Sequence, residues 1–243
     1  VPAASLGAAA ALGVVLVVLP GNQHSALAMA KVTAAVERFD QHTYRIHSTS
    51  GSKSWDGAFD PAGQLGVLTN LQEGLETRFV GDKMYNEESE GSWTVGPRPE
   101  AELAKASAIN ALVKGAALNP DAALQRLREA TDVHEDGTAS GQGWTGIRYA
   151  YTLEDSAGTD PQGKPQESKT VTGTVDVDDQ GQVRRLEVDF PGDSHQLVME
   201  FSDFGAPVSV TAPPADQVQQ RPADRQDKKP GEKPAERPNP KTS

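Results

Sequence analysis

Apolar and polar residues change places at every second position through most of this chain, most regularly from Lys169 to Ala212. Val171, Gly173, Val175 and Val177 take one parity and Thr170, Thr172, Thr174 and Asp176 the other, the period of a half-buried strand. Asp178 to Gly181 supply turn chemistry, and the alternation resumes from Val183 to Phe190, so the pattern predicts a hairpin. Pro191 to Asp193 turn the chain again. Gln196 to Phe204 reads as a third strand, and Val208 to Thr211, beyond the break at Gly205 to Pro207, as a short closing one.

The same period organises the first half. Tyr44 to Thr49, Trp55 to Phe59, Leu65 to Thr69, Leu75 to Phe79, Met84 with Tyr85, and Trp93 to Val95 predict a second meander, with turns at Asp60–Gly63 and Gly81–Lys83. Thr131 to His134 and Gly143 to Glu154 add strands. An acidic, Gly- and Pro-rich loop, Asp155 to Ser168, then leads to the hairpin. Helical periodicity occurs in three places. Ser25 to Asp40 carries the stripe Met29, Val32, Val36 and Phe39; Pro99 to Gly115 carries Leu103, Ala106, Ile109 and Val113; and Asn119-Pro120 caps a short helix with Leu124, Leu127 and Ala130 inward. Runs of antiparallel strands with helices gathered in one insertion predict an α+β fold: a large curved antiparallel sheet with about three helices on its concave face.

The two ends differ from this body. Residues 1–30 contain no Asp, Glu, Lys or Arg, and Val1 to Pro20 is an Ala/Val/Leu run. It reads either as a signal peptide with an A-x-A site at Ala28–Ala30 or as an uncleaved membrane anchor. The anchor is the preferred reading, because cleavage after Ala30 would remove Leu27 and Met29 from the first helix. Either way the body faces outside the membrane, anchored or secreted. From Arg221 onward the chain has seven Lys and Arg, four Asp and Glu, and no large apolar side chain, which predicts a disordered tail. The expected organisation is therefore 1–30 anchor or signal, 31–218 folded domain and 219–243 tail.

The net charge of -11 disfavours nucleic acid as a partner, since phosphates need clustered cations. The absence of cysteine excludes disulfides, thiolate metal sites, Cys nucleophiles and an acylated lipobox cysteine. Asp176 to Glu187 matches a calcium loop at several positions, yet the flanks have period two rather than 3.6, so a hairpin turn is expected. Gly141, Gly143 and Gly146 fit G-x-G-x-x-G, but Ile147, Tyr149 and Tyr151 continue as a strand where a dinucleotide site needs a helix. The five histidines are dispersed and no nucleophile elbow is present. No catalysis, metal or cofactor is expected.

The remaining signal is volumetric. The strands offer Ile46, Trp55, Phe59, Leu65, Val67, Phe79, Ile147, Tyr149, Leu186, Val188, Leu197, Met199 and Phe201 as bulky inward candidates, while the helix around Leu103, Ile109 and Val113 is mostly alanine. Interiors pack to a density of about 0.75, so a broad sheet under thin helices either closes down on them or leaves a hollow. The expectation is an apolar cavity between sheet and helices that takes an acyl chain, with an ordinary filled core as the alternative.

FVGDKMY (Phe79 to Tyr85), VDVDDQGQVRRLEVDF and FSDFGAPVSVTAPPADQV, in this order around a helical insertion, resemble the actinobacterial lipid-binding lipoproteins of the LppX and LprG group. That group shares the half-barrel of the lipoprotein carrier LolA. The resemblance covers about Lys31 to Val218. It implies a half-barrel of about eleven strands, an apolar cavity, and non-catalytic transport or presentation of a lipid or acylated lipoprotein across the envelope. The lipoproteins carry an acylated cysteine that this chain lacks. Related periplasmic sensors share the fold, so a membrane-anchored sensor acting through a protein partner is the alternative the resemblance leaves open.

Overall fold

A computed structural model describes residues 23–98, 109, 120–155, 158–159, 165–166, 169–190 and 196–220. Helix α1 (Gln23–Phe39) leads into β1 (Tyr44–Ser50), β2 (Lys53–Asp60), β3 (Leu65–Asn70), β4 (Glu76–Val80), β5 (Lys83–Ser89) and β6 (Ser92–Pro97). Helix α2 (Pro120–Gln125) and a 3-10 turn, Arg126–Glu129, precede β7 (Asp132–Gly141) and β8 (Trp144–Asp155). A small ribbon of β9 (Gly158–Thr159) and β10 (Pro165–Gln166) follows, then β11 (Lys169–Asp178), β12 (Val183–Asp189), β13 (Gln196–Ser202) and β14 (Val218–Gln220). The main sheet has 12 strands in the order β14-β6-β5-β4-β3-β2-β1-β13-β12-β11-β8-β7. Two meanders are thus joined by the β1–β13 pair, and every neighbouring pair except β14–β6 is antiparallel. This is the curved antiparallel sheet that the alternation predicts.

Two expectations change, and a third falls outside the described residues. Two α-helices stand among the described residues rather than three; the expected helix from Pro99 to Gly115 lies outside them except for Ile109, which is helical and buried. The apolar segment before Gln23 also lies outside them, and no described helix is long and apolar enough to cross a membrane. Val208 to Thr211 is not a strand: the chain from Asp203 to Pro214 is irregular, with Val208 and Val210 half-buried, and the closing strand is β14, parallel to β6. Pro207, Pro213 and Pro214 have no amide hydrogen to give a ladder, so the segment crosses a sheet face instead of joining an edge.

Helix α1 lies on the inner face, against β7, β11 and β12. Its buried stripe is Ala28, Val32, Ala35, Val36 and Phe39, with Met29 packed at its side. Burying Val32, Val36 and Phe39 contributes about 1.5–3 kcal/mol each. Phe39 closes an aromatic belt: its ring centroid lies 4.4 Å from Tyr44 and 4.8 Å, edge-on, from Phe201, and Tyr44 stacks on Phe59, which meets Phe79 at 5.8 Å.

Register corrects two inward candidates. Leu65 and Val67 point to the outer face, and Gly66 and Leu68 point inward. The reason is the aromatic belt: the Phe59 ring lies over Gly66, where an added Cβ would sit 2.6 Å from Phe59 Cδ1. Bulk on the inner face comes from the neighbouring strand, so the parity of side-chain size along β3 alone misassigns it.

Candidate functional site

Of the remaining inward candidates, Ile46, Phe59, Phe79, Ile109, Tyr149, Leu186, Val188, Leu197, Met199 and Phe201 share one buried cluster, and Trp55 and Ile147 pack partly buried against it. Leu103 and Val113 lie outside the described residues. The inner face is therefore one continuous apolar wall, contributed by strands from both meanders. Where α1 covers it, Val175, Leu186, Val188 and Met199 are closely packed.

The wall loosens at the β3–β4 end. A recess of about 280 Å³ opens there among Trp55, Leu68, Leu75, Thr77 and Asn86. Thr77 donates to Asn86 Oδ1 at 3.3 Å, which leaves the buried Asn86 Nδ2 facing the recess without a partner. One further polar atom is set in the wall: Ser48 is 0% exposed and its Oγ has no partner. Unpartnered buried polar atoms are uncommon and call for an explanation. Glu73, Glu76, Glu87 and Glu88 rim the recess, so its entrance is acidic.

The opposite, outer face carries a different site. A groove of about 930 Å³ runs over it, lined on one side by Val67 and Thr69 and on the other by the β7–β8 hairpin tip, Ser140 to Trp144. β3 and the β7–β8 hairpin are separated by β2, β1, β13, β12 and β11 in the sheet order, so the twisted sheet curls far enough for one groove to be lined from both ends. The floor is a row of cross-strand partners, Arg148, Asp176, Arg185, Glu200, His47, Asp56 and Thr69. Charge alternates along it and joins in rungs. Arg148 makes a bidentate pair with Asp176 at 2.7 and 2.8 Å, Arg185 is held by Glu187 on its own strand at 2.9 Å and faces Glu200 at 3.9 Å, and His47 Nδ1 bonds Asp56 Oδ1 at 2.6 Å. Donating to the Asp176 carboxylate raises the Arg148 pKa. Arg185 Nε is buried without a partner.

The apparent calcium loop is spent on this architecture. Asp176 is committed to Arg148, while Asp178 accepts from the Gln180 and Gln182 amides and from Arg184 Nε at 2.6 Å, closing the hairpin turn. Gly141, Gly143 and Gly146 form the β7–β8 hairpin. Among the described residues no three His, Asp or Glu side chains converge on a metal-sized site. The outer row escaped the sequence reading because its members are far apart in the chain. The signal available was the charge on the outward parity of several strands, and it does not disclose which charges become neighbours.

No family model matches the chain, and no curated protein matches it significantly. Solved structures do. LprF from Mycobacterium bovis matches with 15% identity and a TM-score of 0.52, over 78% of this chain and 98% of LprF. The chain is similar in fold to LprF. The lipoprotein LppX of Mycobacterium tuberculosis matches at 16% identity and TM-score 0.49, over 76% of this chain and 99% of that one. The MucA/MucB complex of Pseudomonas aeruginosa matches at 10% identity and TM-score 0.40, over 78% of this chain and 59% of that one. Only the LprF match bears on architecture, and it supports the half-barrel; fold similarity at this identity does not carry function.

Proposed function

We propose that this chain is a non-catalytic protein of the cell envelope that binds a lipid or lipoprotein acyl chain on the inner face of the half-barrel, for transport or presentation. The observation that carries this reading is the apolar inner wall, built by both meanders and loosening into a recess at Trp55, Leu68 and Asn86. At about 280 Å³ the recess is just below the usual range of ligand pockets, so it suits the entry of a chain whose remainder displaces the packing around Ile46, Phe59, Phe79 and Ile109, buried in the unliganded protein. Leu103 and Val113 are proposed to complete the cavity from the helical side; Leu65 and Val67, which face outward, are not part of it. An extracytoplasmic location, by an anchor or by secretion, accords with the apolar N-terminal segment.

Native mass spectrometry of protein purified from its own membranes tests the proposal, together with acyl transfer between vesicles. Bound lipid is expected, and Trp55→Asp should abolish both binding and transfer. Protein free of lipid at every stoichiometry would reject the reading, and co-purification of a membrane protein without lipid would replace it with a sensor acting through that partner.

A further inference from the structure

We propose that the outer groove is a second binding site and that it takes a linear, uncharged polysaccharide laid across the strands. The site has the size of a ligand site rather than of a surface irregularity, at about 930 Å³. Four arginines line it, Arg45, Arg148, Arg184 and Arg185, against four carboxylates, Asp56, Asp176, Glu200 and Asp203. With charges balanced, the groove attracts neither a polyanion nor a polycation over a distance. The Arg148–Asp176 rung is closed on itself, but the other two, Arg185–Glu200 and His47–Asp56, each set an exposed carboxylate beside a cation or imidazole, so that neighbouring hydroxyls of one sugar can donate to the first and accept from the second. Arg185 Nε adds a buried donor with nothing yet to meet it.

Spacing chooses the ligand's form. Adjacent strands lie about 4.8 Å apart, so the row of seven strands extends over about 29 Å, with the exposed carboxylates Glu200 and Asp56 two strands apart within it. A pyranose unit in an extended glycan advances by a comparable step, which lets successive sugars meet successive rungs. An extended peptide would find no main-chain partners, because the floor strands β1, β2, β3, β8, β11, β12 and β13 are each hydrogen-bonded on both sides.

Trp144 supplies the remaining contact. Its indole lies flat on the hairpin at Gly141, where a Cβ would come within 2.7 Å of Cε2, so the ring is held at the groove wall with one face against its own hairpin. A fixed, partly exposed indole is a platform for the apolar face of a sugar ring, and Val67 gives an apolar contact at the far end of the groove. The rungs face away from the inner wall, so the site stands whether or not the acyl-chain reading holds.

The test titrates the full chain with cellohexaose, mannohexaose, xylohexaose and maltohexaose, following the Trp144 indole N–H by NMR, alongside a hexagalacturonate and a mixed-sequence dodecapeptide. At least one neutral hexasaccharide should bind with a submillimolar Kd, and Trp144→Ala and His47→Ala should each weaken it by about fivefold or more without moving the urea midpoint. Trp144 is only partly buried at a hairpin tip and the His47 side chain is 45% exposed, so both variants should fold. No response to any neutral hexasaccharide at about 10 mM, binding that survives both substitutions, or preference for the uronate or the peptide would overturn the proposal.

Discussion

Tyr151 and Gly173 form a bracket across three strands whose removal tests how the second meander holds together. Tyr151 on β8 reaches over Gly173 on β11 and donates its hydroxyl to the Glu187 carbonyl on β12 at 2.9 Å. An added Cβ at Gly173 would overlap the Glu187 carbonyl oxygen and sit 2.6 Å from Tyr151 Oη. Tyr151→Phe keeps the ring and loses only the hydrogen bond, an expected cost of about 0.5–1.5 kcal/mol. Gly173→Ala loses that bond and also forces the ring or the strand to move, which adds an overpacking cost of about 1–3 kcal/mol. The sum, about 1.5–4.5 kcal/mol, corresponds to a fall in Tm of about 3–18 °C for a domain of this size. Because both substitutions remove the same hydrogen bond, the double variant should lose less than the two single losses together. Urea unfolding followed by tryptophan fluorescence and by circular dichroism measures all three. A Gly173→Ala protein within about 0.5 kcal/mol of the parent would refute the bracket, since it would mean the strands yield without cost.

The same tyrosine sets an alkaline limit. Burial and the nearby Asp189 and Glu187 charges raise its pKa far above the ordinary 10.0, so above that pH the unfolded chain loses a proton that the folded chain keeps. Stability from this group is complete below about pH 10 and falls as pH rises further, a slope that Tyr151→Phe should remove in urea titrations between about pH 9 and 11. Arg148→Ala should cost about 2–3 kcal/mol, because Asp176, its side chain 3% exposed, is left buried without its bidentate partner while water reaches the vacated arginine site; Arg148→Ala/Asp176→Ala should recover part of the loss in a denaturation midpoint series. Truncation after Phe204 should expose Trp93, Tyr85 and Val95, which pack with Val218 on the outer face, and should lower the Tm and raise binding of a hydrophobic dye. Ala28→Asp should destabilise the domain by several kcal/mol, since it places an unpaired carboxylate within the α1 stripe; an unchanged Tm would show that α1 does not dock as described.

The alternation along the chain determined, by itself, where nearly every described strand lies and that the architecture is an antiparallel sheet with helices on one side. Period and turn chemistry are local, and the chain states them in full. Its capping and stripe residues likewise placed α1 within two residues of its observed start. The closing strand was misplaced because period two reports an extended chain, and pairing depends on amides that the prolines withhold. Leu65 and Val67 were assigned to the wrong face because side-chain size decides orientation only together with the rings of the adjacent strand.

The inner wall was largely legible, since apolar parity in each strand marks the buried face whatever the neighbours are. The outer row was not. Arg148, Asp176, Arg185, Glu200, His47 and Asp56 become adjacent only when the two meanders join at β1–β13 and the sheet coils, and register between segments more than a hundred residues apart is settled by the packing of the whole face rather than by any one strand.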